Sequence, residues 1–328
     1  MDDVIRWGIM STGNMAQNFA RALIPLQDAQ LVAVGSRTQD STETFGHHFD
    51  VAHRHASYEA LAADPDVDAI YVATPHGRHY EDMLLCIEHG KHILCEKAFT
   101  INAKQAEDIF RRADEKGLLV VEAMWTRFLP AFRKLLSLID EGALGEVRTV
   151  MADFGFRAAY DPQGRLFNPL LGGGVLLDVT VYPIMLALSV LGEPSRIETT
   201  AAIGEIGVDV QNSIIFAYDD GRQATLTSSL QVNLPCEAYI AGTEAQVRMP
   251  FHWWNTREYQ IIRRDAEPET INMPFEHSGY SYEAIEFMDC LRKGKKESKM
   301  MSRADTLLLM RTMDAIREKW GLVYPMEK

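Results

Sequence analysis

A chain of 328 residues with 47% hydrophobic and 24% charged residues has an ordinary globular composition and is long enough for two domains. Its formal net charge of -13 repels phosphate backbones and anionic lipid, so neither nucleic acid nor a membrane surface is an expected partner. The four cysteines include no CxxC pair and no zinc-finger spacing, so they require no disulfide framework and fit a reducing, cytoplasmic setting.

From the N-terminus, short apolar runs alternate with amphipathic stretches, and no basic-then-apolar leader precedes the first of them. Strands are predicted at 5–10, 31–36, 69–73, 92–95 and 118–122, and helices at 14–23, 41–49, 77–88 and 103–116. Asn102, Gln105 and Gly117 read as the start and stop signals of the last helix. Alternation of this kind implies an α/β fold whose first part, residues 1–124, is a Rossmann domain: a doubly wound parallel sheet covered on both faces. After residue 125 the pattern changes to a helix over 127–140, a strand over 148–156 and a long irregular segment. The stretch 170–192 is apolar enough to raise a membrane question, but Asp178, Pro183 and the opening Gly172-Gly173-Gly174 favour a buried helix. Serial strands follow over 197–263, with Asp219-Asp220-Gly221 as a hairpin turn, and helices over 282–292 and 303–319 close the chain. Residues 125–328 are thus predicted to form an α/β domain with a large, mostly antiparallel open sheet that carries substrate and oligomer contacts. Thr225, Thr227, Ser229 and Gln231 suit a moderately polar sheet-to-sheet contact, so a homodimer or higher homo-oligomer is expected.

The first strand runs into Gly8-Ile9-Met10-Ser11-Thr12-Gly13-Asn14-Met15-Ala16. A dinucleotide-binding turn needs a tight bend, a residue without Cβ facing the pyrophosphate and a small residue where helix meets strand; Ser11, Gly13 and Ala16 hold those positions. A helix starting at Asn14 aims free N–H groups at phosphate, which makes Ser11, Thr12, Gly13, Asn14 and Met15 candidate cofactor contacts. Any strand–helix turn can carry one glycine, so the turn alone is a weak signal. At the second strand end, Ser36-Arg37-Thr38 stand where an acid would bind the ribose 2′-OH of NAD. A guanidinium beside hydroxyls suits a 2′-phosphate, so NADP is expected ahead of NAD; the bland alternative is an Arg37 that stacks or faces water.

In an open parallel sheet the ligand lies beyond the carboxyl ends of the strands. Those ends also offer Thr74, Pro75 and His76, with His79 one turn on, then Glu96, Lys97 and Trp125. Lys97, partly desolvated beside a nicotinium ring, becomes usable in proton transfer; a solvated Glu96–Lys97 pair is the alternative. Asp178 and Tyr182 lie four residues apart on one face of an apolar helix, where substrate, cofactor or backbone must satisfy them. His76 and His79 have no further ligands at metal spacing, so no metal is expected. Phe154, Phe156, Trp125, Trp253 and Trp254 are candidates for a pocket wall or for the core.

Together these motifs resemble the Gfo/Idh/MocA oxidoreductase family along the whole chain. Cys95-Glu96-Lys97 is similar to its Glu-Lys-Pro motif, with Ala98 in place of proline. The segments 122–128 and 165–169, and the run Gly172-Gly173-Gly174 to Asp178, Tyr182 and Pro183, resemble its dihydrodiol dehydrogenase, D-xylose dehydrogenase and glucose–fructose oxidoreductase branch. The resemblance implies that Lys97 and Tyr182 form a catalytic pair and that Asp178 positions substrate or cofactor. It implies substrate contacts at Trp125, Phe156, Arg157, Asp178 and Tyr182, and further cofactor contacts at Thr74, Pro75, His76, His79, Glu96, Lys97 and Trp125. The implied reaction is reversible hydride transfer between a sugar or trans-dihydrodiol and NADP or NAD. A non-catalytic dinucleotide-binding regulator and a sugar epimerase or glycosidase with retained NAD are the competing readings, and the joint presence of Lys97, Asp178 and Tyr182 favours the dehydrogenase.

Overall fold

A computed structural model describes residues 4–327. The chain forms two compact units, Met1–Phe128 with Glu276–Leu307, and Leu129–Phe275 with Leu308–Lys328. A division at 124/125 would give residues 276–307 to the second domain, whereas their contacts lie in the first unit. The reason is burial: Phe287 packs on Trp7 with ring centroids 5.1 Å apart, and the Ser281 hydroxyl donates to the Ala22 carbonyl at 2.9 Å.

In the first unit the strands and helices run β1 (Ile5–Met10), α1 (Asn14–Leu23), β2 (Ala29–Gly35), α2 (Gln39–Phe49), β3 (His53–His55), α3 (Tyr58–Ala62), β4 (Ala69–Val72), α4 (His76–Glu88), β5 (His92–Glu96), α5 (Ala103–Lys116) and β6 (Val120–Ala123). The six strands are parallel and ordered β3-β2-β1-β4-β5-β6, the doubly wound arrangement whose direction of winding reverses between β1 and β4. Every residue of β4 and β6 is buried, as strands covered on both faces require. The sequence gives no notice of β3 and α3, which are only 3 and 5 residues long, too short for a periodicity to register. α5 is bounded as its signals predict: the Asn102 side chain accepts from the Gln105 amide at 2.9 Å, and Gly117 ends it at φ 67°.

The second unit holds α6 (Pro130–Asp140), β7 (Val147–Gly155), α7 (Val181–Leu191), β8 (Arg196–Ile203), β9 (Asp209–Ala217), β10 (Gln223–Ser229), β11 (Ala238–Gly242), β12 (Ala245–Met249), β13 (Glu258–Arg263) and β14 (Glu269–Asn272). Its eight-stranded sheet has the order β14-β13-β12-β11-β7-β10-β9-β8. Hairpins make most neighbours antiparallel, and the exception is β7, which enters between β11 and β10 and runs parallel to β10. Burial alternates along β9 and β10, so one face is covered and the other is open. The apolar stretch Pro169–Leu191 is long and apolar enough to cross a membrane, but 78% of its most apolar 18 residues are buried inside the fold. It is not one regular helix. A π-helical turn over Leu176–Thr180 precedes α7, and Asp178 lies in that turn while Tyr182 lies in α7. Two helices follow in the chain, α8 (Ser281–Arg292), wholly in the first unit, and α9 (Arg303–Trp320), which the unit boundary divides.

Candidate active site

The glycine turn of the first unit sits at the reversal point of its sheet. Ser11 takes φ 127°, a conformation that favours glycine, and its strain is offset locally: its amide donates to the Gly35 carbonyl at 2.9 Å and its hydroxyl accepts from the Gly13 amide at 3.2 Å. Gly13 caps α1 without any side-chain hydrogen bond, and the first turn carries no acid. A Cβ added at Gly13 would meet only the Ser11 hydroxyl, at 3.5 Å, so the space in front of the helix is open. Thr12, Asn14 and Met15 are partly or fully exposed there. An uncapped helix start with open space before it is what a pyrophosphate requires, so these residues fit a dinucleotide. Arg37 is exposed and donates no hydrogen bond to the described residues. Its neighbours serve the backbone: Ser36 is 8% exposed and its amide donates to the His55 carbonyl, while the Thr38 hydroxyl caps α2.

Thr74, Pro75 and His76 lead from β4 into α4. The Thr74 hydroxyl donates to Asp82 at 2.7 Å, and a ring nitrogen of His76 lies 3.1 Å from the Lys97 carbonyl. His79 is fully buried, with the Ala98 carbonyl 2.9 Å from one ring nitrogen and the Thr74 carbonyl 2.7 Å from the other. Burial pushes its pKa down, against the pull of those carbonyls, and a neutral ring donates to only one of them. His79 thus ties the turn after β5 to the end of β4. The Lys97–Ala98 peptide bond is cis.

Glu96 is 6% exposed; the Tyr71 hydroxyl donates to one of its oxygens and the Lys97 amide to the other, at 3.2 Å. Burial and the Glu96 charge hold the Tyr71 phenol well above its ordinary range. Glu283, from α8, is fully buried with no hydrogen-bond partner for either oxygen among the described residues, and burial together with Glu96 raises its pKa well above the carboxylate range. Burial likewise lifts Glu122 to about 7. Trp125 is 7% exposed and stacks on Tyr280, ring centroids 4.5 Å apart.

In the second unit the segment after Gly172 is built around a buried carboxyl. Asp209, at the start of β9, accepts from the Leu176 amide at 2.9 Å and from the Asn212 side chain at 3.1 Å, and the same Asn212 amide reaches the Thr180 hydroxyl at 2.9 Å. Burial raises Asp209 to about 7. Gly174 has φ 113°, and a Cβ there would lie 2.4 Å from an Asp209 oxygen, so glycine is required on two counts. The Tyr324 hydroxyl donates to the Gly173 carbonyl at 2.8 Å. These contacts aim the π-helical turn and the start of α7. Asp178, 8% exposed, accepts from Arg165 at 2.7 Å. Tyr182, 6% exposed, has the Phe154 ring 5.7 Å and the Trp254 ring 6.5 Å away, and Phe154 stacks on Trp254 at 3.4 Å. Phe156 lies 6.3 Å from Phe154, and Arg157 is exposed. Trp253 is core, its indole donating to the Asp153 carbonyl at 2.9 Å, whereas Trp254 belongs to the aromatic group.

In the first unit Ser11 to Met15, Arg37, Thr74 to His79, Glu96, Lys97 and Trp125 stand at or just beyond strand ends. In the second, Asp178 lies in the π-helical turn and Tyr182 in α7 beside Phe154, whereas Phe156 and the exposed Arg157 follow β7 on a different segment, Phe156 near Phe154. Sequence reasoning missed Asp209, Asn212 and Glu283. Asp209 is at a strand start and Glu283 in a helix, with nothing in their local pattern to announce burial. Arg165 carried a signal, since it stands in a motif segment, but its partner is 13 residues away.

Comparison with known proteins brings two family matches: an oxidoreductase family with an NAD-binding Rossmann fold over residues 5–124, and the GFO/IDH/MocA C-terminal domain over residues 132–248. A trans-1,2-dihydrobenzene-1,2-diol dehydrogenase of Xenopus tropicalis is 35% identical over 329 residues, covering 98% of this chain and 99% of that protein. The enzyme of the same name from Homo sapiens is 32% identical over 333 residues, with 99% of each chain covered. Among solved structures, a 3-ketoreductase from Actinomadura kijaniata in complex with NADP and TDP-benzene superposes with a TM-score of 0.84 at 28% identity, covering 96% of this chain and 98% of that one.

Proposed function

The chain belongs to the GFO/IDH/MocA family of oxidoreductases with an NAD-binding Rossmann fold, and from that premise we propose that it transfers a hydride between a sugar or trans-dihydrodiol and the nicotinamide of NADP, with NAD as the weaker alternative. The observation that carries this reading is the group on the second unit: a nearly buried phenol, Tyr182, walled by Phe154 and Trp254, with Asp178 in the preceding turn held by Arg165. A sugar or diol offers a flat apolar face to aromatic rings and hydroxyls to a carboxylate and a phenol.

The bound nicotinamide supplies hydride chemistry, and the chain supplies orientation and the proton. Tyr182 takes the proton from a hydroxyl as it is oxidised and returns it on reduction. Lys97, the other member of the catalytic pair that the resemblance implies, supplies positive charge for the reacting oxygen. Asp178 orients a neighbouring hydroxyl, while Trp125, Phe156 and Arg157 complete the substrate contacts. The α1 start, with Ser11, Thr12, Gly13, Asn14 and Met15, receives the pyrophosphate, and Arg37, beside Ser36 and Thr38, selects the 2′-phosphate. Thr74, Pro75, His76 and Glu96 border the cofactor, and His79 acts by positioning the Lys97 turn. Most of the first unit's residues thus serve the cofactor, while the second supplies Phe156, Arg157, Asp178 and Tyr182 to the substrate.

A second copy of the chain covers the open sheet face, where Met151 and Ile215 are 46% and 45% exposed beside Thr225 and Thr227 of β10; Ser229, expected on this face, is fully buried and takes no part. Four free, buried cysteines support a reducing, cytoplasmic setting. The test is a panel of sugars and trans-diols with NADP+ and NAD+, followed by the absorbance of the reduced nicotinamide, with light scattering on the same sample. At least one substrate should reduce NADP+ faster than NAD+; a panel with no turnover by either cofactor retires the dehydrogenase reading, and a monomeric mass retires the dimer.

A further inference from the structure

The edge of the parallel sheet gathers three metal-binding side chains that take no part in the reaction described above. His53 and His55 lie two residues apart on β3, so their rings leave the same face of the strand. Register with β2 fixes both, through the pairs Ala33↔His53 and Gly35↔His55. The third side chain, Asp64, follows α3 and is 6% exposed. One of its oxygens, Oδ2, lies 2.7 Å from Nδ1 of His53 and 2.8 Å from Nε2 of His55. One donor atom from each of the three residues lies within 4.8 Å of the other two.

We propose that His53 Nδ1, His55 Nε2 and Asp64 Oδ2 form a binding site for a divalent first-row cation, zinc foremost, that ties the edge strand to the turn after α3. Two imidazoles and one carboxylate are donors that zinc prefers, and calcium or magnesium would take oxygen ligands instead. Tetrahedral zinc with bonds of about 2.0–2.2 Å sets its ligands roughly 3.3 Å apart. The rings need to move away from the carboxylate by about half an ångström, and the two ring nitrogens, within 4.8 Å of each other, must close to a similar spacing. Neutral rings need change only their tautomer to turn a lone pair inward. Side-chain exposures of 38% for His53 and 24% for His55 leave a side open to water as the fourth ligand.

The carboxylate is aimed in advance by its backbone. Asp64 Oδ1 accepts from the Asp66 amide at 2.9 Å, and the Asp64 carbonyl accepts from the Lys91 ammonium at 2.5 Å. Lys91 also donates to the Val67 carbonyl at 2.8 Å, so its ammonium is held on carbonyls of the turn by bonds that leave the carboxylate oxygens out. Such supporting contacts around a ligand are what orient a metal site.

The full chain, stripped with a chelator and dialysed, is titrated with Zn2+ by calorimetry and with Co2+ by visible absorption. One equivalent should bind with a dissociation constant in the micromolar range, the Co2+ form should show the intense bands of four-coordinate cobalt, and Tm should rise by several degrees in excess Zn2+. His53→Gln and His55→Gln should each weaken binding by at least ~30-fold, whereas His89→Gln, at an exposed position elsewhere, should bind as the parent does. Asp64→Asn should also lose the ion, but Asp64 organises its own turn, so the two histidine variants, checked for a native circular dichroism spectrum, decide the matter. Absence of stoichiometric uptake at ~100 µM metal, or uptake equal in the parent and both histidine variants, overturns the site.

Discussion

The two units place their chemistry-bearing side chains by different means. In the first, Ser11, Arg37, Thr74 and Lys97 stand at or just beyond the ends of parallel strands, so topology alone sends them to one edge of the sheet. In the second, Asp178 and Tyr182 are aimed by one segment whose turn hangs on Asp209, a carboxyl 33 residues further along the chain than the Leu176 amide it holds. The buried carboxyls each combine a near and a far partner: Glu96 accepts from the next amide and from Tyr71 on the neighbouring strand, and Asp209 from Asn212, three residues on, and from the Leu176 amide 33 residues back. A strand-end site tolerates local change because the sheet carries it; a site on an irregular helical turn depends on every contact that shapes the turn.

The largest test of this contrast is chemical. Tyr182→Phe should lower kcat by roughly 10²–10⁴ with cofactor affinity nearly unchanged, and Lys97→Ala should cost at least as much. Near-parental kcat in Tyr182→Phe would make the phenol a core residue. Next come the glycines, one from each unit. Gly174→Ala places a Cβ against Asp209 at φ 113° and should cost on the order of 2–4 kcal/mol by denaturant unfolding. Gly13→Ala has φ -70° and only an ordinary contact, so stability should hold while cofactor affinity falls. Similar losses of stability in both variants would erase the distinction between the units.

A smaller effect is expected at the cofactor's far end. Arg37→Asp removes a charge-assisted contact of about 1.5–3 kcal/mol, so the preference for NADP over NAD should reverse by at least about tenfold. Equal affinity of the parent for both cofactors would mean that Arg37 only stacks or faces water. The last test is a pH effect. Burial raises Asp209 from 3.8 to about 7, so the folded chain holds this proton more tightly than the unfolded one. The stability this contributes is complete below about pH 4 and is lost as pH rises through about 7; Glu122, also raised to about 7, adds the same slope. Asp209→Asn should therefore show a flatter fall of Tm between these limits, and an unchanged slope would show that Asp209 is ionised in the fold.

Residue patterns alone determined the two kinds of sheet, the glycine turn, the α5 caps and the gathering of Ser11, Arg37, Thr74 and Lys97, because strand-end positions follow from periodicity and chain order. Tertiary structure alone decided the rest. β3 and α3 are too short to show a period, and β7 takes its place between β11 and β10 by pairing across the chain. The single regular helix expected across 170–192 yields to a π-helical turn because Asp209 and Asn212 claim the backbone and side chain of that segment. Residues 276–307 join the first unit because Phe287 and Ser281 find Trp7 and Ala22 there, contacts that no spacing announces. His53, His55 and Asp64 likewise converge only once β3 is in register and the turn after α3 is closed. Local periodicity records which face a residue takes, while long-range packing decides which residues meet, and carboxyls such as Asp209 and Glu283 show their burial only when the chain has folded around them.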